Sequence, residues 1–257
     1  GPLPARRYDP HAHGAGTAAL VYAHGGGFTL GSLESADSVC RFLCAEAGVT
    51  VVSVDYRLAP EHPFPAATED LLDAYRYVVS TAPSWGIGAD RVMVGGDSAG
   101  GNLAIVTAMQ VRDRGRQGIE HLPRPLLQVA FFPWVDFVNR YPSHIKFEFG
   151  YFLTTAQLEW YADHYVPATE QRANPYVSPL LAKDLRDLGP VYVGVAGFDP
   201  LRDEGLAIAE RLREEGNDVR LDVDARHIHA YVNATGVGTT STAALRRAVA
   251  VIREFAE

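Results

Sequence analysis

Arg91-Val92-Met93-Val94-Gly95-Gly96-Asp97-Ser98-Ala99-Gly100-Gly101-Asn102 passes from an apolar run through a glycine cluster into the helical pattern of Leu103, Ala104 and Val106. Gly96 to Gly100 spell G-x-S-x-G. Set between a strand and a helix, this pentapeptide makes a turn so sharp that the serine backbone is strained and its hydroxyl exposed, with small residues required on either side. No G-x-G-x-x-G register can be written across these residues, which excludes a dinucleotide loop.

Outward from this turn, the strand-then-loop pattern recurs at Ala18–Ala23, Val49–Val54, Leu126–Phe132 and Val191–Ala196, so that five buried strands are predicted. Amphipathic stretches of helical length lie between and after them, at Ser35–Ala47, Ala67–Thr81, Ala99–Arg114, Glu204–Glu215 and Ala243–Glu257. Alternating strands and helices imply right-handed crossovers and a mostly parallel sheet covered on both faces. Val219 to Asp224 alternates apolar with charged residues and is placed at a sheet edge. From Asp136 to about Pro179 the alternation lapses into an aromatic-rich stretch without a clear strand. Residues 137–179 are therefore expected to form a small helical insertion or cap on one domain spanning 1–257.

Composition narrows the function classes. The chain has 257 residues, 47% hydrophobic and 21% charged, with 23 basic against 31 acidic side chains and a net charge of −8. Such a balance, with no local basic patch, opposes a nucleic-acid or anionic-membrane partner. The longest apolar run, Leu126 to Val135, is interrupted by Gln128 and Pro133 and is too short to span a membrane. Cys40 and Cys44, four apart on one helix face, fit neither a disulfide framework nor a metal knuckle, and a reducing cytoplasm is the expected compartment. Because the sequence opens on Gly1-Pro2 rather than Met, an upstream segment such as a removed signal peptide stays open. The sequon Asn233-Ala234-Thr235 is read as accidental.

Directly after the first strand comes His24-Gly25-Gly26-Gly27. Consecutive glycines let backbone N–H groups converge on a cavity and hold an oxyanion, and Ala99, following the candidate nucleophile Ser98, adds its own N–H. His24 reads as a structural anchor for that loop. A serine hydroxyl requires a base, and the base an acid, in the chain order serine, acid, histidine. Asp199 follows the strand Val191–Ala196 and is preferred as the acid over Asp203, which is read as the N-cap of the next helix. Only one of His227 and His229 can point at the serine, and local pattern does not separate them. His11, His13, His62, His121, His144 and His164 fall on loops, a terminus or the insertion and are read as solvated or structural.

His24-Gly25-Gly26-Gly27-Phe28, Tyr56-Arg57-Leu58-Ala59-Pro60-Glu61, Gly96-Asp97-Ser98-Ala99-Gly100 and Asp199-Pro200-Leu201-Arg202-Asp203-Glu204, with Ile228-His229, together resemble the GDSAG type of hormone-sensitive-lipase-like esterases. The resemblance runs from about Arg7 to the C-terminus. It implies an α/β-hydrolase fold, no cofactor or metal, and hydrolysis of short-to-medium acyl esters. Position by position it makes Ser98 the nucleophile, Asp199 the acid, His229 the base, and Gly26, Gly27 and Ala99 the oxyanion donors. Tyr56 to Glu61 would buttress the glycine loop. Phe28, Leu30, Phe147, Phe149 and Tyr151 are the expected substrate contacts.

Two departures from the family pattern matter. Its members carry some dozens of residues before the glycine loop that form part of a helical cap, whereas 23 precede His24 here, so a cap that is truncated, disordered or removed, and with it a more open acyl pocket, is expected. Ala230-Tyr231 stands where Gly-Phe follows the base. An amidase, deacetylase or lactonase would share every residue named, and a receptor on the same scaffold would keep the serine and lose the histidine. The expected partner is a small-molecule ester. The edge strand offers a route to a homodimer, although its charges equally guard against pairing.

Overall fold

The computed structural model describes residues 2–10, 16–237 and 239–257; His11 and His13 lie outside them. Seven strands, β1 (Ala5–Tyr8), β2 (Ala19–Ala23), β3 (Thr50–Val54), β4 (Val92–Asp97), β5 (Gln128–Phe131), β6 (Val191–Phe198) and β7 (Val219–Ile228), form one sheet in the order 1-3-2-4-5-6-7. All pairs are parallel except β1 with β3. This is the α/β-hydrolase fold, and five of the strands are those expected from their apolar runs.

Strand β1 was invisible in the sequence for a physical reason. Its central Arg6 and Arg7 pair with Glu34, Asp37 and Asp9 at the sheet edge, so the segment has no apolar run to betray it. At the opposite edge, β7 continues four residues past the alternating stretch and carries His227 within the strand.

Side chains alternate across the sheet and fill two faces. Leu20, Tyr22, Val51 and Met93 pack against α1 (Asp37–Ala47) and α7 (Thr240–Ala256). Val21, Val52 and Val94 pack against α2 (Ala66–Thr81) and α3 (Ala99–Arg116), while Val193 and Val195 meet α6 (Arg202–Glu214). Helix α6 begins at Arg202 after Leu201, so Asp203 lies inside its first turn rather than capping it. Its carboxylate instead accepts the Ser143 N–H at 2.9 Å.

Between β5 and β6 the chain makes α4 (Pro142–Lys146), α5 (Thr155–Tyr165) and short 3-10 turns at Thr169–Ala173 and Pro179–Leu181. Thr154 and Gln157 close a reciprocal capping box at the start of α5. Among the described residues, no helix is long and apolar enough to cross a membrane.

The strand order reverses between β2 and β4, which places a crevice at their carboxyl ends. Ala23 is paired with Gly96, so the glycine loop leaves the sheet beside the serine turn. Two strands further on, Phe198 is paired with Ile228. Asp199 and His229, each the next residue, therefore emerge side by side.

Candidate active site

Ser98 sits between β4 and α3 with φ 57° and ψ −114°, a conformation that costs an L-residue on the order of 1–3 kcal/mol. The turn is held by its own backbone: Ser98 N–H donates to the Phe131 carbonyl at 2.8 Å, and the Ser98 carbonyl accepts from Asn102 N–H at 3.1 Å. A Cβ on Gly100 would collide with the Ala23 carbonyl, which is why the G-x-S-x-G glycine is required. Ala99 is the first residue of α3, so its N–H has no partner within the helix.

His229 lies with Nε2 at 3.0 Å from Ser98 Oγ and Nδ1 at 2.7 Å from Asp199 Oδ2. Asp199 is fully buried, and its other oxygen accepts the Leu201 N–H at 2.9 Å. With Nδ1–H donated to that carboxylate, Nε2 is left as the acceptor of the serine proton. Phe132 packs edge-on against the imidazole at 4.6 Å between centroids. His227 stays apart: its ring stacks on Tyr231, and its Nε2 lies 3.8 Å from Asp224 Oδ2. Residues two apart on a strand share a face, so what divides the two histidines is the end of β7 at Ile228.

The glycine loop faces the same point. Gly27 adopts φ 60°, and a Cβ there would collide with the Tyr161 ring of α5, so the loop and α5 meet only through glycine. His24 Nδ1 donates to the Gly25 carbonyl at 2.7 Å and its ring stacks on Tyr56 at 4.3 Å, and burial holds its pKa below the usual range. Ala59 N–H donates to the Phe28 carbonyl at 2.8 Å, so the Tyr56–Glu61 segment does brace the loop.

A cavity of about 320 Å³ opens at Ser98, bounded by the glycine loop, His229, Leu30, Trp134, Phe152, Leu153, Leu158 and Tyr161. Of the five expected substrate contacts, Leu30 is in this wall. Phe28 is not: it is fully buried, stacked on Tyr165 at 3.8 Å. Phe147 is buried against Tyr151 and Phe198, Tyr151 lies flat on Phe198, and Phe149 is 77% exposed outside the cavity. From the insertion, Phe152, Leu153, Leu158 and Tyr161 form the wall instead. The i, i+3 pair Leu158 and Tyr161 on α5 was the available signal, because the helix presents that face to the glycine loop.

Behind the segment that follows β5 lies a buried ionisable pair. Glu204 Oε1 accepts Val135 N–H at 2.6 Å and Asp136 N–H at 3.3 Å, while Oε2 faces His144 Nε2 at 3.2 Å. Burial pushes the Glu204 carboxyl up to about 7. Ser143 Oγ donates to the Pro200 carbonyl at 2.6 Å, so α4 is fastened to the segment that carries Asp199.

A hydrolase site on this sheet has known counterparts. The chain belongs to the α/β-hydrolase fold family, whose model matches residues 20–233. It is 42% identical over 255 residues to the carboxylic ester hydrolase LipN of Mycobacterium tuberculosis, covering 98% of this chain and 67% of that one. It is 40% identical to the ethyl acetate hydrolase of Pseudomonas putida, over 90% of this chain and 71% of that protein. The solved hyperthermophilic esterase of Pyrobaculum calidifontis superposes with a TM-score of 0.93 at 40% identity, covering 100% of this chain and 80% of that one. The hormone-sensitive-lipase-like resemblance holds, and the protein is a carboxylesterase.

Proposed function

We propose that Ser98, His229 and Asp199 are the nucleophile, base and acid of this carboxylesterase, that Gly26, Gly27 and Ala99 hold the oxyanion, and that the substrates are short-to-medium acyl esters. The observation that carries the assignment is the continuous chain from Ser98 Oγ through His229, at 3.0 Å and 2.7 Å, to a buried carboxylate. As Ser98 Oγ attacks the ester carbonyl carbon, His229 Nε2 takes its proton and the carbonyl electrons move onto an oxyanion held by backbone N–H groups. Collapse of that intermediate breaks the bond to the alcohol oxygen, which leaves with the proton from His229. Water then attacks the acyl-enzyme carbonyl, giving its proton to His229, and the carboxylic acid departs as Ser98 recovers its hydrogen.

The cavity size and its apolar wall support a small acyl group, as does the ethyl acetate named for one relative. Residues 137–179 act as the cap, since Leu153, Leu158 and Tyr161 come from this segment. A second copy would pair along β7, where Val223 and Ile228 are exposed; sedimentation at rising concentration tests that pairing.

Hydrolysis of p-nitrophenyl esters from acetate to palmitate tests the function. Activity peaking at short chains, lost by about a thousandfold or more in Ser98→Ala and His229→Ala and kept in His227→Ala, is expected. Full activity in Ser98→Ala or His229→Ala would overturn the triad.

A further inference from the structure

We propose that Asn233 is a positioning residue for the general base, acting through the carboxylate of Asp97. This inference rests on the triad proposed above. Strand β7 ends at Ile228, so His229 is the first residue that the sheet no longer holds. Ala230 then reverses the chain at φ 66°, and Tyr231–Asn233 make a single 3-10 turn. Apolar packing of Tyr231 and Val232 anchors one side of this turn.

On the other side, Asn233 Nδ2 donates to Asp97 Oδ2 at 3.1 Å. Asp97 is the residue before Ser98, only 3% exposed, and its Oδ1 accepts the Tyr22 hydroxyl at 2.8 Å. The same Oδ2 stands 2.5 Å from where a Cβ on Gly25 would lie, so it also limits the glycine loop. One carboxylate thus touches three segments, β2, the glycine loop and the turn after His229, while being joined covalently to the nucleophile. The contact is made through the amide nitrogen, the donor side of the Asn233 side chain, and the Asp97 oxygen accepts. Removing that donor frees the turn on its polar side, and a displacement of the imaizole-bearing backbone by about 1 Å is enough to cost on the order of a hundredfold in rate.

Asn233→Leu keeps the branched shape and removes the donor. Asn233→Asp sets two carboxylates against each other, and the pair Asp97→Asn with Asn233→Asp rebuilds the bond with donor and acceptor exchanged. Steady-state kinetics on p-nitrophenyl acetate, with thermal melting of each variant, read the outcome. Expected is a fall in kcat of about 10- to 100-fold in Asn233→Leu with KM within about threefold, a larger fall in Asn233→Asp, and recovery in the double variant to above both Asn233→Asp and Asp97→Asn. A purely structural role would lower melting temperature without this split or this recovery.

Asn233→Leu with kcat within about twofold of the parent, or a double variant no better than its singles, overturns the proposal. Should Asn233→Leu not fold, the exchanged pair decides alone. Ser98→Ala and His229→Ala run beside them: if either stays active, the triad itself is wrong and the proposal falls with it, whereas their collapse beside an unaffected Asn233→Leu refutes the positioning role only.

Discussion

The Tyr56 hydroxyl donates to the His24 carbonyl at 2.8 Å while the two rings stack 4.3 Å apart, so a residue from beyond β3 fixes the first residue of the glycine loop twice over. Tyr56→Phe keeps the stack and leaves a buried carbonyl without its donor. We expect a loss of about 1–2 kcal/mol in stability and a several-fold fall in kcat, measured by urea unfolding and ester hydrolysis.

Gly27→Ala forces a methyl group into the Tyr161 ring at a backbone angle that favours glycine. A drop of about a hundredfold in kcat/KM is expected, because the proposed oxyanion donors move with the loop. Tyr161→Ala in the same chain should return part of the loss, since it removes the collision but not the strain at φ 60°. No recovery would place the damage in the backbone alone.

Ala230 holds a left-handed conformation at φ 66°. Glycine adopts it without the penalty of about 1–2 kcal/mol, less about 0.4–1 kcal/mol for its freer unfolded chain. Ala230→Gly is therefore expected to raise stability by up to about 1.6 kcal/mol, seen as a shift of the urea midpoint with unchanged slope.

Burial raises the Glu204 carboxyl from its ordinary 4.5 to about 7, so the folded protein binds a proton there that the unfolded chain releases earlier. The stability this contributes is complete below about pH 4.5 and is lost as pH climbs to about 7, amounting to at most about 3 kcal/mol. Glu204→Gln should flatten that part of the stability profile. Unfolding free energies at pH 4.5, 5.5 and 7 for parent and variant check it, and parallel profiles would refute it.

Much of this molecule was legible from residues alone because its chemistry depends on the backbone. The G-x-S-x-G turn needs small residues where Gly96 and Gly100 meet β2, and Gly26 and Gly27 need positive φ, so both motifs leave marks that no side-chain packing can mask. The choice of His229 over His227 came through family resemblance, since it turns on where β7 ends, a matter of ladder pairing between Phe198 and Ile228. Phe28, Phe147, Phe149 and Tyr151 lie outside the cavity wall, which the sequence could not reveal because an aromatic side chain reads the same whether it stacks in a core, as Phe28 does on Tyr165, or lines a cavity. Strand β1 escaped because an edge strand stabilised by ion pairs has no hydrophobic period.

Among the described residues strand β7 has a single neighbour in the sheet, yet the proposed base hangs from its end. Outermost strands open at lower free energy than central ones, and opening here would carry His229 away from Ser98 while β2, β4 and β5 remain intact. With His229 as the base, catalysis would thus be a local gauge of sheet fraying. In mild denaturant or heat, turnover should fade while circular dichroism still reports a folded chain, and ligands filling the cavity should slow amide exchange along β7 before they slow it anywhere in the central strands.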